Sequence, residues 1–286
     1  MPLHPALQPG RVAVITGAAS GIGLAAAEAF VRLGMNVMLA DANAAALENA
    51  EARIVAAAAD KCRVRLCVVD VSDRKDVERL RDLAYEDFGE VAVLMNNAGI
   101  GGGGGVLGDL AKWRRLIDVN LWGVVHGINV FAPAMIKQGT PAAIVSTGSK
   151  QGITCPPGDA AYNVSKAGVK VATEALAYEL RTLEGCKVSA HLLIPGFTFT
   201  GMTRPGGGEK PAGAWTAAQV ADFLIERMSE GDFYILCPDN EVSREDDARR
   251  ILWAAGDIVE NRPPLSRWHP DYKAAFAEFA ERAPAK

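Results

Sequence analysis

The chain has 286 residues, 49% of them apolar, which is enough for one large folded unit or two small ones with a sizeable core. A formal net charge of -4, with basic residues scattered rather than clustered, argues against a nucleic-acid partner. Met1 to Gly10 has neither the basic nor the apolar region of a signal peptide, and no apolar run is expected to reach the length of a membrane span, so a cytoplasmic protein is expected. The five cysteines (Cys62, Cys67, Cys155, Cys186 and Cys237) form no C-x-x-C pair and accompany no histidine cluster, so the expectation is reduced thiols and no metal site.

Arg11 to Thr16 is a short apolar run that ends on glycines and predicts a buried strand. Gly21 to Leu33 follows with Ile22, Ala25, Ala26, Ala29, Phe30 and Leu33 at helical spacing. Asn36 to Ala40 reads as a second strand, Ala42 to Ala59 as an alanine-rich helix, Arg63 to Val69 as a third strand, Lys75 to Phe88 as a third helix and Val91 to Met95 as a fourth strand. A long helical stretch runs from about Leu110 to Lys137. Beyond it lie a strand at Ala143 to Ser146, a helix at Ala160 to Leu183, a strand at Lys187 to Ile194, a helix from about Thr216 to Met228 and a last strand at Phe233 to Cys237. Buried strands that alternate with helices predict an α/β protein with a parallel sheet of about seven strands and helices on both faces, doubly wound in the Rossmann manner. No linker interrupts it, so residues 1–286 read as a single domain. A Gly/Pro-rich loop around Thr203 to Gly213 and a C-terminal extension from Glu241 stand apart.

The first strand runs into Thr16-Gly17-Ala18-Ala19-Ser20-Gly21-Ile22-Gly23. Glycines let the backbone approach a pyrophosphate, and the helix that follows offers free N–H groups and a positive dipole end, so a nucleotide site is expected here. Asp41 closes the second strand where an acid hydrogen-bonds an adenosine ribose diol, and an acid there repels a 2′-phosphate. Ala42 and Asn43 follow it, and no basic residue stands just before Gly21, which favours NAD over NADP; the simpler role for Asp41 is a helix cap. Asp70-Val71 ends the third strand, placed to meet an adenine, and Asn96-Asn97-Ala98-Gly99 ends the fourth, bordering the cofactor. Tyr162 and Lys166, four residues apart, share one helix face, and Ser149 lies thirteen residues before the tyrosine. A phenol is a poor base at neutral pH, but a nearby cation favours the phenolate. A tyrosine tuned in this way can exchange a proton with a hydroxyl.

Taken together these motifs resemble the short-chain dehydrogenase/reductase family, over roughly Gly10 to Cys237. The matching pieces are TGAASGIG at Thr16 to Gly23, Asp41, Asp70-Val71, NNAG at Asn96 to Gly99, Asn120 within DVN, Ser149, Tyr162-x-x-x-Lys166, and Pro195-Gly196 with Thr198 and Thr200 in PGFTFT. The resemblance implies a hydride transfer between NAD(H) and a secondary alcohol or ketone. It makes Tyr162 the acid/base, with Lys166 lowering its pKa and binding the nicotinamide ribose, and Ser149 holding the substrate oxygen. Asn120 would kink its helix and hold a water that links Lys166 to solvent. The cofactor would lie on Gly17, Ser20, Gly21, Ile22, Gly23, Asp41, Asp70, Val71, Asn97, Ala98, Gly99, Tyr162 and Lys166. Thr198 and Thr200, with the backbone after Pro195 at Gly196, would hold its carboxamide and phosphate end. The alternatives are an NADP(H)-dependent carbonyl reductase and a non-catalytic dinucleotide-binding protein.

Some residues depart from the family pattern or lie outside it. Gly148 stands where the family often has Asn or Ser, and Ser146 and Thr147 are rival hydroxyls to Ser149. The run Gly101 to Gly105 cannot hold one conformation cheaply, which makes it either a mobile loop beside the cofactor or a tolerated insertion. His126 reads as structural and Cys155 as a wall of the substrate pocket. The family's substrate loop corresponds to residues 200–216. Phe197, Met202 and Trp215 suggest a hydrophobic or aromatic substrate, while Arg204 and Lys210 would meet an acidic one or simply face solvent. The extension over residues 241–286 has a charged helix at Arg244 to Arg250. With Trp253, Trp268, Tyr272, Phe276 and Phe279 it is expected to pack over the substrate cleft or a neighbouring subunit. The family's contacts along its long helices imply a homo-oligomer, a dimer or a homotetramer.

Overall fold

β1 (Val12–Thr16) is buried at every position, as a strand covered on both faces must be. Its side chains divide between those faces. Ala13 and Ile15 join Val37 and Leu39 on one, and Val14 joins Met38 and Ala40 on the other. The structure is a computed structural model and describes residues 2–58, 62–203, 206 and 208–282.

α1 (Gly21–Arg32), β2 (Asn36–Asp41), α2 (Ala44–Ala57), β3 (Val64–Val68), α3 (Arg74–Phe88) and β4 (Val93–Asn96) follow in turn. Next come α4 (Leu110–Ile117), a π-helical turn (Asp118–Trp122), α5 (Gly123–Lys137), β5 (Ala142–Thr147), α6 (Gln151–Thr154), α7 (Ala160–Thr182) and β6 (Val188–Ile194). Two short strands, β7 (Thr198–Phe199) and β8 (Trp215–Thr216), pair with each other before α8 (Ala217–Ser229) and β9 (Tyr234–Leu236). α9 (Arg244–Val259), two 3₁₀ turns (Ser266–Trp268 and Pro270–Tyr272) and α10 (Lys273–Arg282) complete the described chain.

Seven strands pair in parallel in the order β3-β2-β1-β4-β5-β6-β9. α1, α2 and α8 cover one face; α3, α5 and α7 cover the other. The expected doubly wound α/β sheet is therefore present. The winding reverses between β1 and β4, which opens a crevice beyond the carboxyl ends of the strands. Strand and helix limits differ from the sequence reading mainly by a residue or two at the ends, where helices fray and strands lose their partners. Several elements were not anticipated: α6, the β7–β8 pair, the second half of α9 beyond the charged Arg244 to Arg250 segment, the two 3₁₀ turns and α10.

Leu110–Lys137 forms one helical stretch of 28 residues, long and apolar enough to cross a membrane by length and composition. That departs from the expectation that no run reaches such a length. Many of its apolar residues are used internally instead: Leu116, Val119, Val124, Val130, Phe131 and Met135 are all buried, while Leu110 and Trp122 are exposed.

Towards the amino end of β6 the N-terminal segment docks through His4. Its backbone N–H donates to Ser229 Oγ in α8 (3.1 Å), its Nδ1 accepts from Ala6 N (3.1 Å), and its Nε2 meets Ser189 Oγ in β6 (3.3 Å). Burial, then the neighbouring His191 and Arg11, push the His4 imidazole down from 6.5 to about 4. Burial likewise lowers His191. The folded state thus prefers both rings neutral, and this stability is complete above the ordinary histidine pKa and is lost as pH falls towards the folded values. Thermal melts are expected to show a falling Tm between pH 6.5 and about 4, with a smaller fall in His4→Gln. A pH-independent difference between the two proteins over that window would contradict this.

Candidate active site

The first site element is the turn between β1 and α1. A Cβ on Gly17 would lie 2.7 Å from Ala98 Cα, and one on Gly23 would lie 2.6 Å from Asn97 Nδ2 and collide with the Gly17 carbonyl. Both glycines are therefore dictated by close approach of the turn to the end of β4. Asn97 fastens that approach. Its Nδ2 donates to Thr16 O (3.1 Å) and Gly17 O (3.2 Å), and its Oδ1 accepts from Thr147 Oγ1 at the end of β5 (3.2 Å). Ser20 caps α1 without using its side chain, so the first-turn N–H groups of Gly21, Ile22 and Gly23 keep the unpaired donors that favour an anion. Thr200 lies over this turn; its Cγ2 would be 3.3 Å from a Cβ on Gly21.

A cleft continues from the turn past Gly17, Asp41, Asp70, Val71, Ala98 and Gly99. Asp41 accepts from Ala19 N (3.1 Å) on one oxygen and from Asn43 N (3.0 Å) on the other. The cap of α2 is Asn43, not Asp41. Each Asp41 oxygen keeps a lone pair for a further donor. Arg115, which sequence reasoning missed, also lines the cleft, but it donates to Asp70 Oδ2 (3.1 Å) and Ser72 Oγ (3.1 Å). Burial opposes ionisation of Asp70, but bonds from Ser72 and Arg115 outweigh it and hold its carboxyl below the usual range.

At the far end of the crevice, Ser149, Tyr162, Lys166 and Asn120 come together. α7 begins at Asp159, whose carboxylate caps the Tyr162 N–H (3.2 Å). Ser149 lies beside the Tyr162 phenol and favours its ionised form, and its Oγ accepts from Gln151 N (3.2 Å). The rival hydroxyls point elsewhere: Ser146 Oγ is buried with no partner, and Thr147 Oγ1 is held by Asn97. Lys166 is 3% exposed and donates to Thr147 O (2.7 Å), and burial lowers its pKa to about 8. Its Nζ lies 5.7 Å from the Tyr162 ring centre. The expected lowering of the tyrosine is not what this arrangement produces. Burial pushes the phenol up, Asp159 adds to the rise, and Ser149 only partly opposes it. Lys166 is spent on a carbonyl rather than on the phenol. Asn120 sits in the π-helical turn, fully buried, and both ends of its amide bind the Ile100 backbone, at 2.7 Å and 2.8 Å. π-turns often mark functional positions.

The short chain dehydrogenase family model matches residues 11–209. The chain belongs to the short-chain dehydrogenase family. It is similar to a 1-deoxy-11-beta-hydroxypentalenate dehydrogenase of Streptomyces arenae, 33% identical over 266 residues that cover 90% of this chain and 93% of the relative. Among solved structures it resembles a short-chain dehydrogenase/reductase from Burkholderia phymatum in complex with NAD, at 36% identity and TM-score 0.79, covering 90% of this chain and 96% of that one. An alcohol dehydrogenase from the archaeon Thermococcus sibiricus, complexed with 5-hydroxy-NADP, is similar at 25% identity and TM-score 0.69 over 76% of this chain and 90% of that one. The chain is thus an oxidoreductase of a family that binds nicotinamide dinucleotides.

Of the two readings of the glycine run after NNAG, a mobile loop or a tolerated insertion, the hydrogen bonds do not favour a loose loop. Gly102 N and Gly104 N each donate to Asp159 (3.0 Å), and Ala161 N donates to Gly104 O (3.3 Å). The run is pinned to the first turn of α7 by the residue that caps Tyr162. Met202 Cγ approaches Gly101, at 3.8 Å from a Cβ placed there. Trp215, by contrast, packs edge-on against Phe223 of α8 (5.7 Å), and Lys210 donates to Pro211 O and Ala214 O. Neither is a free loop side chain. Arg204 and Pro205 lie outside the described residues. His126 binds the Val71 carbonyl (3.0 Å), a structural contact. Cys155 is part-buried with a left-handed backbone, φ 48°, and burial raises its thiol.

A Cβ at residue 103 would overlap Ala161 Cβ and lie 2.9 Å from Leu116 Cδ1, whereas one at 105 meets nothing within 4 Å. Gly103→Ala is therefore expected to cost about 1–3 kcal/mol in denaturant unfolding, with Gly105→Ala near neutral. Equal values for the two would show that the run is not pinned.

Proposed function

We propose that the chain transfers a hydride between NAD(H) and a secondary alcohol or its ketone, hydrophobic or aromatic in character, with Tyr162 as the acid/base. The observation that carries this is the meeting of Ser149 and Tyr162 beside a buried Lys166, whose Nζ lies 5.7 Å from the Tyr162 ring centre, at the same end of the sheet as the glycine turn. A binding module has no use for a buried ammonium without an acid partner, because burying such a charge is costly. Catalysis gives a reason to keep it. Ser149 and Tyr162 would grip one substrate oxygen, the phenol exchanging its proton with that oxygen. Asn120 would hold Ile100 and the π-turn against Lys166.

The cofactor's dihydronicotinamide supplies the hydride chemistry. Ser20, Gly21, Ile22 and Gly23 would receive its pyrophosphate, with Gly17 and Ala98 forming the floor of the turn. Asp41 would take the ribose diol, Asp70 and Val71 would border the adenine, and Asn97 and Gly99 the nicotinamide half. Pro195, Gly196, Thr198 and Thr200 would close over it. NAD is preferred because the Asp41 carboxylate opposes a 2′-phosphate, while Arg115 is already engaged by Asp70.

The loop over residues 200–216 is read as the substrate loop. Phe197 (42% exposed) and Met202 (45%) are available to an apolar substrate. The assembly is read as a homodimer or homotetramer, since Val164, Val171 and Tyr178 recur at seven-residue spacing on one exposed stripe of α7. Cys67, Cys155, Cys186 and Cys237 are free thiols, which suits a cytoplasmic protein, read as one domain over residues 1–286.

A panel of secondary alcohols with NAD, read by NADH absorbance, tests the reading. Tyr162→Phe is expected to lose a factor of about 10²–10⁴ in turnover while still binding NADH; undiminished turnover would refute the role of Tyr162. Fluorescence titration should show NADH bound more tightly than NADPH, and the reverse order would overturn the Asp41 argument. Lys166→Met is expected to lower kcat by about 10²-fold with Tm held or raised, because it removes an uncompensated buried charge. A large loss of Tm would assign Lys166 to the scaffold.

A further inference from the structure

We propose that Lys150 is a positioning residue, through which the C-terminal extension sets the geometry of Ser149. It rests on the reading of Ser149 and Tyr162 given above. Lys150 follows Ser149 directly, and its ammonium lies 3.3 Å from Asp239 Oδ2 and 2.6 Å from Asp247 Oδ2. The three side chains are 17%, 5% and 5% exposed. Asp247 belongs to α9, inside the extension; Asp239 belongs to the turn that leads into it.

Asp239 reaches a second piece of the site. Its Oδ2 also accepts from Phe197 N (3.2 Å), the residue after Pro195-Gly196, while its Oδ1 accepts from Glu241 N and Val242 N. Lys150 N donates to Pro195 O (3.4 Å). A Cβ on Gly196 would lie 2.7 Å from Asp239 Oδ2 and 2.8 Å from Lys150 Nζ, so the glycine of that turn makes room for the charge cluster. On its other side the Lys150 carbonyl starts α6, accepting from Ile153 N and Thr154 N (3.1 Å each). α6 is pressed onto α7, where a Cβ on Gly152 would lie 2.7 Å from Ala167 N and collide with the Lys166 carbonyl carbon. One ammonium therefore joins three segments: the Ser149 turn, the Pro195–Phe197 turn and the extension.

Packing alone does not call for this arrangement. Two buried carboxylates share one lysine, Asp247 Oδ2 makes an ion pair but takes no well-aligned hydrogen bond, and burial raises the Asp247 carboxyl. Apolar residues fill such a space at lower cost. The Ile251 side chain of α9 already packs with Leu192, Ile194 and Leu236, which would seat the helix without any charge. The charge fixes direction: it pins the residue beside Ser149 at a defined distance from β6 and from α9.

Two readouts test this. Asp247→Asn and Asp247→Ala are expected to lower kcat about tenfold or more, as a small misplacement of a reacting group does, with KM changed less than kcat and with Asp247→Glu recovering most of the loss. Independently of any substrate, the Tyr162 phenol can be titrated by ultraviolet absorbance as the difference between each protein and its Tyr162→Phe counterpart. The groups facing that phenol are Ser149, Asp159 and Lys166. If Ser149 is released, the phenol loses the neighbour that opposes its rise, and its titration moves to higher pH in Asp247→Asn and Asp247→Ala. Ile258→Ala, 85% exposed on the same helix, should move neither readout. An unmoved phenol titration overturns the proposal, as does a kcat loss that only tracks Tm. Absent turnover in the wild type together with a moved titration would instead refute the hydride-transfer reading and leave the positioning role standing.

Discussion

Among the described residues, the ammonium of Lys166 lies inside the protein with a single carbonyl, Thr147 O, as its hydrogen-bond partner and forms no ion pair with an acid. A charge in that position must be accommodated by everything around it. Thr147 is the last residue of β5, so the lysine on α7 dictates how far that helix may stand from the sheet. Gly99 borders the same ammonium; a Cβ there would lie 3.7 Å from Nζ and 3.4 Å from Asn120 Oδ1, in ordinary contact with both. Asn120, whose π-turn interrupts an otherwise continuous helical stretch, fills the remaining side and fixes Ile100. The geometry of β4, β5, α7 and the π-turn is in this sense set around one cation.

Two hydrogen-bond clamps carry that geometry outwards. Asn97 ties the β1–α1 turn to the ends of β4 and β5, so the turn that would hold a pyrophosphate is registered against the strand that leads to Ser149. Asp159 ties the glycine run after NNAG to the first turn of α7, where Tyr162 sits. Each clamp uses one short polar side chain to satisfy several backbone groups, which adds fixed distances at little entropic cost. Together they link both halves of the crevice without any contact through a ligand.

Much of this was legible because it is local. A glycine turn between strand and helix, an acid at a strand end and a Tyr-x-x-x-Lys on one helix face each declare themselves within a few residues, and the sheet follows from the alternation of buried strands with helices. What the sequence hid joins distant positions: Arg115 to Asp70, 45 residues apart, Gly102 to Asp159, 57 apart, and Lys150 to Asp239, 89 apart. No periodicity announces such pairs. The glycine run shows the error this causes. Composition says what a loop is free to do, whereas the carboxylate that pins it lies in another element. The tyrosine shows a second kind of error. Spacing put a cation near the phenol, but burial of both groups and the lysine's commitment to Thr147 decide the balance, and neither can be read from i and i+4.

Several unfavourable features lie around the Ser149–Lys166 region. Cys155 holds a left-handed backbone between Ser149 and Tyr162, a conformation that costs an ordinary residue about 1–2 kcal/mol, and Asp247 keeps a buried carboxylate raised by desolvation. The π-turn and the buried Lys166 belong to the same region. Towards the amino end of β6, His4, Ser189, His191 and Ser229 form a cluster in which each polar group finds a partner. Folding alone gives no reason for this asymmetry, since a doubly wound sheet can be closed with apolar residues at both ends. It follows if the carboxyl ends of the strands must present fixed charges and a held hydroxyl to something that enters the crevice, and if the rest of the sheet is stable enough to carry them.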